Sequence, residues 1–159
     1  MTTGNPPEPP SVDDESVPAD ERTPLFAAIR LMSVSERMQF ARRADKAGRA
    51  LLARDSNKQV ALTVFSNPRI TIQEVEQFAK SRQLDSDLLR EIAINIEWMK
   101  HYSVVLALAA NPKTPITIAM KLLPRLRLPD LKALKGERNL PAAVRAGVLR
   151  LFTERSSKE

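Results

Sequence analysis

Two stretches of the chain share one pattern of apolar and polar positions. Residues 60–79 read VALTVFSNPRITIQEVEQFA, and residues 104–123 read VVLALAANPKTPITIAMKLL. Each stretch consists of a short apolar run, an Asn-Pro pair, one basic residue and a second run whose apolar positions recur with helical spacing. Self-similarity of this kind is typical of repeat architectures, so we expect stacked helical repeats.

The Asn-Pro pair at the centre of each stretch predicts the end of one helix and the beginning of another. Proline disfavours helical geometry in the residue before it, and Asn tolerates turn geometry. The second helix is expected to begin under a Thr cap, with a proline at the first helical position in the second copy. The motif residues are Asn67, Pro68, Thr71, Asn111, Pro112, Thr114 and Pro115.

Similar signals predict helices along most of the chain. Thr23-Pro24 begins a short helix, and Ser33 with Glu36 reads as a capping box at the start of a long helix that ends near Arg54. Pro124 to Lys135 reads as an insert in the second repeat. Leu106 and Leu108 lie in the most apolar run and are expected to be buried from several sides. Further helices are predicted at about 57–66, 72–80, 86–94, 128–135 and 141–153.

These patterns together predict an all-α chain with one folded domain, formed as a short right-handed α-solenoid. The helical-repeat domain is expected at residues 23–153, with repeat copies at about 57–94 and 102–153. Residues 154–159 are polar and are expected to fray. Residues 1–22 hold five of the twelve prolines and six acidic residues against Arg22, so this acidic tail is expected to be disordered.

The motif Asn111-Pro112-Lys113-Thr114-Pro115, followed by a helical apolar pattern, resembles the NP-x-TP signature of bacterial leucine-rich-repeat-variant and related HEAT-like proteins. Asn67-Pro68 begins a weaker copy that lacks the second proline. The resemblance covers about residues 50–153. It implies a scaffold that binds macromolecules, and it carries over no catalytic residue.

The composition argues against several classes of protein. The chain has no Cys and only four Gly, which excludes disulfides, zinc–cysteine sites, thiol catalysis and a glycine-rich phosphate loop. No apolar run is long enough to span a membrane, and no signal pattern is present, so we expect a cytoplasmic protein. His101 is the only histidine, and metal sites usually gather several such ligands. We therefore expect no enzyme, no cofactor, no metal and no small-molecule substrate.

Charge and aromatic residues supply the candidate binding positions. The tail carries a net charge of −5, and since the whole chain carries +6, residues 25–159 carry +11. Such a basic body favours an acidic partner, although Lys and Arg also commonly solvate helix surfaces. The single Trp and the single Tyr could anchor an interface or fill the junction between repeats. The partner-binding candidates are Arg42, Arg43, Lys46, Arg49, Trp98, His101, Tyr102, Lys121, Arg125, Arg127, Lys132, Lys135, Arg138, Arg145 and Arg150.

Two hypotheses compete for these candidates. In the first, a groove with a basic rim binds an acidic or amphipathic segment of a protein partner. In the second, the basic helical surface follows the backbone of a nucleic-acid duplex, which requires charge but few aromatic residues. Single-strand binding is disfavoured because the chain offers few aromatic stacking platforms. The acidic tail is either a solubility segment or a competitor for the stripe formed by Arg42, Lys46 and Arg49.

Overall fold

The computed structural model describes residues 23–159, and all regular structure in this part of the chain is helical. Three single 3-10 turns lie at Val64–Ser66, Trp98–Lys100 and Leu123–Arg125. The all-α prediction is confirmed for these residues, while the predictions on residues 1–22 lie outside them. The ten α-helices are α1 Pro24–Arg30, α2 Val34–Ala41, α3 Lys46–Leu52, α4 Lys58–Thr63, α5 Ile72–Lys80, α6 Ser86–Ile94, α7 Tyr102–Ala110, α8 Ile116–Leu122, α9 Leu128–Lys135 and α10 Ala142–Ser156.

Most helices begin where a side chain binds the first free backbone N–H groups. Thr71 accepts from the N–H of Glu74, and the Glu74 carboxylate accepts from the N–H of Thr71, which completes a capping box. Because such signals are local, α5 and α6 have the predicted bounds; α9 also has them, although no side chain caps it and a proline lies in its first turn. The other capping residues are Thr23, Ser33, Asp45, Asn57 and Asp85.

The prediction of one long helix over residues 33–54 is wrong, because the chain forms α2 and α3 instead. Asp45 has extended backbone geometry and accepts from the N–H of Gly48 at 3.0 Å, so it begins a new helix. A Cβ on Gly48 would lie 2.9 Å from the Cβ of Ala44. Glycine therefore permits the close approach between the first turn of α3 and the loop before it.

The predicted Thr114 cap on α8 is also wrong. The Thr114 hydroxyl donates to the carbonyl of Leu108 at 2.6 Å, so it binds the end of the preceding helix instead. Pro115 lies at the N-cap position, where no side chain accepts a hydrogen bond. The predicted cap at Thr71, in the first copy of the motif, is confirmed.

The two Asn-Pro turns make the same set of hydrogen bonds. In each turn the side-chain Oδ1 of the Asn accepts from the backbone N–H two residues later, on Arg69 or Lys113, at 2.9 Å. Each Asn Nδ2 also donates to two carbonyls at the end of an earlier helix. For Asn67 these are Ala41 and Ala44, at 3.0 and 2.9 Å, and for Asn111 they are Ala79 and Ser81, both at 2.8 Å.

One hydrophobic core extends from α1 to α10, and it joins helices that are distant in the chain. Helices α2 and α4, α5 and α7, and α8 and α10 pack together, and α9 packs on α10. Leu108 is fully buried, as predicted, whereas Leu106 is only half-buried and lines a surface groove. The prediction that Leu106 is buried from several sides is therefore wrong.

The last helix is longer than predicted, since α10 continues to Ser156 and does not end at residue 153. The guanidinium of Arg155 accounts for the extra turn. It donates to the carbonyls of Leu126 and Pro124, each at 2.6 Å. These bonds join the end of α10 to the loop between α8 and α9.

Candidate interaction surfaces

A groove of about 490 Å³ runs between α2, α4, α6 and the turn Trp98–Lys100. Half-buried apolar side chains form part of its wall, and exposed polar side chains form its edges. We name it the Trp98 groove. Its residues are Met38, Arg42, Gln59, Leu62, Thr63, Phe65, Ser66, Glu91, Asn95 and Trp98.

Aromatic stacking holds Trp98 at one side of this groove. Its indole meets the ring of Phe65 edge to face, with centroids 5.6 Å apart and an interplanar angle of 75°. Phe65 in turn contacts Phe78, with centroids 5.9 Å apart. The side-chain oxygen of Asn95 accepts from the backbone N–H of Trp98 at 3.1 Å and orders this turn. Trp98 thus fills a junction between helices and still presents part of its ring at the surface.

Two large apolar side chains are exposed close to this groove. Ile94 ends α6 with 64 % of its surface accessible, and Ile96, in the following loop, is 76 % accessible. They flank Asn95, which lines the groove itself. Scattered exposed apolar residues are ordinary, and neither isoleucine lines the groove itself.

The other two aromatic candidates have different environments. The Tyr102 hydroxyl donates to the Asp130 carboxylate and accepts from the N–H of Arg127 at 2.9 Å. Burial raises the pKa of the Tyr102 phenol, and the Asp130 carboxylate adds to the effect. Tyr102 therefore joins the predicted insert to α7. His101 is exposed at the N-cap position of α7.

Arg49 does not belong to a surface stripe with Arg42 and Lys46, as the sequence predicts, because its guanidinium lies in the protein interior. It is 5 % exposed, and its Nε and Nη2 donate to the carboxylate of Glu74 at 2.7 and 3.0 Å. Its Nη1 donates to the carbonyl of Ala44 at 2.7 Å. Burial acts to raise the pKa of Glu74, but hydrogen bonds from Arg49 and Thr71 outweigh it and lower the pKa.

The other N-terminal cations remain at the surface but do not form one stripe. Arg42 and Arg43 lie in the loop after α2, and Arg42 lines the Trp98 groove. Lys46, on α3, lines a different groove of about 360 Å³, together with Phe78 and Gln77. The break between α2 and α3 separates these cations, which the long predicted helix had placed together.

The C-terminal cations divide into two groups. Three have intramolecular contacts: Arg125 donates to the Met99 carbonyl at 2.7 Å, and Arg127 and Lys135 lie 4.3 Å above the ring centroids of Tyr102 and Phe152. The remaining five are exposed and have no carboxylate within ion-pair distance among residues 23–159. These are Lys121, Lys132, Arg138, Arg145 and Arg150.

The structure adds a set of cations around the two Asn-Pro turns. Each Asn side chain joins its turn to the loop that follows an earlier helix, so the cations of both segments lie close to the same amide. Sequence reasoning noted the basic residue after each Asn-Pro pair but did not assign it to a site. We name this surface the Asn-turn edge. Its exposed cations are Arg42, Arg43, Arg69, Arg82 and Lys113.

Between residues 23 and 159, no group of three or more His, Cys, Asp or Glu side chains is placed to hold a metal ion. Over the same residues, no helix combines the length and the apolar character needed to cross a membrane.

The fold and these surfaces define an all-α protein with two candidate binding faces, the Trp98 groove and the Asn-turn edge. Comparisons with protein-family models, with curated proteins and with solved structures find no match to this chain.

Proposed function

We propose that this chain is a non-enzymatic helical-repeat scaffold whose Trp98 groove binds a segment of a protein partner. The groove itself carries the proposal, because it combines half-buried apolar walls, a partly exposed Trp and a cation at its edge. Trp and Arg are the residue types that most often dominate the energy of protein interfaces. A cytoplasmic location and the absence of a chemical step belong to the same proposal.

The repeated Asn-Pro turns support a right-handed α-solenoid of the HEAT-like, leucine-rich-repeat-variant type. Asn67 and Asn111 make equivalent bonds to an earlier helix end, as expected when one structural unit is stacked on the next. The packing of α2 on α4, of α5 on α7 and of α8 on α10 follows the same order. Solenoids present extended surfaces to their partners, which agrees with a groove that crosses several helices.

The chemistry of the groove indicates an amphipathic partner with an acidic end. Met38, Leu62, Phe65 and Trp98 would receive large apolar side chains, since each is partly accessible. Arg42 lines the same groove and is exposed, so it would receive a carboxylate. The charge of +11 on residues 25–159 favours encounter with such an acidic segment.

A peptide-display selection on the immobilised full-length chain tests this proposal. We expect selected peptides to combine large apolar residues with carboxylates near one end. Binding of the consensus peptide, followed by fluorescence anisotropy, should weaken at least about tenfold in Trp98→Ala, because truncation of a buried aromatic anchor typically costs 2 kcal/mol or more.

Two controls separate recognition from a general loss of fold or charge. Arg42→Glu should weaken peptide binding, whereas Arg90→Glu makes the same charge change at an exposed cation of α6 and should have little effect. Thermal unfolding of each variant verifies that the fold is intact. The proposal is wrong if no peptide family is enriched, or if Trp98→Ala binds the consensus peptide as well as the wild type does.

The second candidate function is binding to the backbone of a nucleic-acid duplex. The five unpaired C-terminal cations favour it, since backbone binding requires exposed positive charge. A labelled duplex titrated at several salt concentrations tests this alternative. If it is right, Arg145→Ala and Arg150→Ala should each reduce the salt dependence by about one phosphate contact. Tight duplex binding at physiological salt would overturn the preferred function.

A further inference from the structure

The Asn-turn edge holds five exposed cations in two groups. In the first, the amide of Asn67 bonds to the carbonyls on either side of Arg42 and Arg43, and its oxygen accepts from the N–H of Arg69. In the second, the amide of Asn111 bonds to the carbonyl next to Arg82 and accepts from the N–H of Lys113. These bonds fix the backbone that carries the cations, so their grouping is built into the fold.

Nearby carboxylates do not neutralise these five cations. Asp45 caps α3, and Asp85 caps α6 and pairs with Lys58, which also binds Asp87. Asp55 lies 2.9 Å from the Nε of Arg37, an ion pair without hydrogen-bond geometry. Across residues 23–159 no carboxylate lies within ion-pair distance of the five cations, namely Arg42, Arg43, Arg69, Arg82 and Lys113.

Helix α1, which follows residues 1–22 in the chain, lines a groove that reaches part of this edge. Helix α1 begins at Pro24, and its residues Phe26 and Ile29 line a groove of about 550 Å³ that reaches Gln83, the neighbour of Arg82. A second groove, of about 250 Å³, shares Gln83 and also contains Lys113. Through these two grooves, Lys113 and the neighbour of Arg82 are connected to the helix to which residues 1–22 are attached.

Charge and reach make residues 1–22 a suitable occupant. They carry a net charge of −5, and Asp13, Asp14 and Glu15 form a run of three acids. An extended chain spans about 3.3–3.6 Å per residue, so this run can lie up to roughly 35 Å from Thr23. Covalent attachment gives such a segment an effective concentration on the order of mM.

We propose that the Asn-turn edge is a docking surface for an extended acidic polypeptide, and that its occupant is the chain's own segment 1–22. The contacts are electrostatic and exposed, so the segment binds weakly and exchanges with solvent. Arg42 belongs both to the edge and to the Trp98 groove. The docked segment therefore competes with the acidic end of a partner, and the two surfaces are coupled through this residue.

Paramagnetic relaxation enhancement on the full-length chain tests the proposal directly. The chain contains no Cys, so Ser16→Cys introduces a single site for a nitroxide label. At about 0.01 M salt, where the Debye length is about 30 Å, amide signals near Arg42, Arg69, Arg82 and Lys113 should broaden. At about 1 M salt, where the Debye length is about 3 Å, the broadening should disappear.

A matched pair of double variants identifies the cations responsible. Arg82→Ala with Lys113→Ala should abolish the broadening around the second Asn-Pro turn. Arg90→Ala with Lys100→Ala removes the same charge from cations that pair with acids on their own helical turns, and should leave the broadening unchanged. The amide spectrum of each variant reports whether its fold is intact.

Three results would overturn the proposal. The first is the absence of local broadening at low salt, and the second is broadening that persists at about 1 M salt. The third is broadening concentrated at Lys132, Arg145 and Arg150, which would show general attraction to the most basic end of the fold. None of these results affects the test of the Trp98 groove, because that test depends on Trp98→Ala and a separate peptide.

Discussion

Replacing the Asn of each Asn-Pro turn by Ala tests the bonds that join distant helices. Asn67 and Asn111 are 1 % and 4 % exposed, and each side chain donates two hydrogen bonds and accepts one. Alanine removes all three bonds at either position. Because the two sites are so similar, they serve as an internal comparison within one protein.

The two replacements should differ in cost, because one carbonyl has a second donor. Asn111→Ala leaves the carbonyls of Ala79 and Ser81 without another donor among residues 23–159. After Asn67→Ala, the carbonyl of Ala44 still accepts from Arg49 at 2.7 Å, so only the carbonyl of Ala41 loses its side-chain donor. At about 1 kcal/mol per net bond, we expect Asn67→Ala to cost about 2–3 kcal/mol and Asn111→Ala about 1 kcal/mol more.

Urea denaturation followed by far-ultraviolet circular dichroism measures both free energies of unfolding. A loss of 2–4 kcal/mol is a large share of the 5–15 kcal/mol that stabilises a typical domain. Asn139 is exposed and forms no side-chain hydrogen bond among the described residues, so Asn139→Ala should stay within about 0.5 kcal/mol of the wild type. The predicted role of these bonds is wrong if both turn variants unfold like Asn139→Ala, or if Asn67→Ala costs more stability than Asn111→Ala.

Three further predictions concern the interior. Arg49→Met should cost about 3–5 kcal/mol of unfolding free energy, because it leaves the Glu74 carboxylate buried without its cation. The double variant Arg49→Met with Glu74→Leu should recover most of this stability. Equal denaturation midpoints for the single and double variants would contradict this prediction. The pKa of the Glu74 carboxyl is lowered in the folded protein, so its contribution to stability is present above its unfolded pKa of about 4.3 and is lost as the pH falls through the folded pKa. The difference in unfolding free energy between the wild type and Glu74→Gln should therefore shrink in acid. A difference that stays constant with pH would argue against the ion pair. Leu108→Ala should cost about 2–5 kcal/mol and Leu106→Ala clearly less, because only Leu108 is fully buried; equal denaturation midpoints would refute this difference.

Local signals in the sequence were sufficient for most helices. Thr71 with Glu74, and Asp85 before an apolar-periodic run, predict where α5 and α6 begin, because a cap and the N–H groups that it binds lie within three residues. The same reasoning failed for the 33–54 segment. The apolar stripe continues past Asp45, but Asp45 adopts extended geometry and accepts from the N–H of Gly48, so a second helix begins there.

The candidate sites depended more strongly on tertiary structure. The sequence identified Trp98 as a possible anchor and recorded a basic residue after each Asn-Pro pair. The ring contact between Trp98 and Phe65, and the bonds from Asn67 to the carbonyls of Ala41 and Ala44, join parts of the chain that lie more than twenty residues apart. No periodicity within one helix could have revealed these contacts.

Arg49 shows most clearly the difference between what the sequence predicts and what the tertiary structure decides. Arg42 and Lys46 precede it at helical spacing, so the sequence alone predicts a solvent-exposed cation on the same face. Glu74, 25 residues later, is held by its own capping box at the place where α5 approaches α3, and there it accepts two hydrogen bonds from the Arg49 guanidinium. Capping and periodicity, which act within one or two turns, are determined by the sequence itself. Which charges are buried, and which remain free to bind a partner, was decided only when the helices packed together.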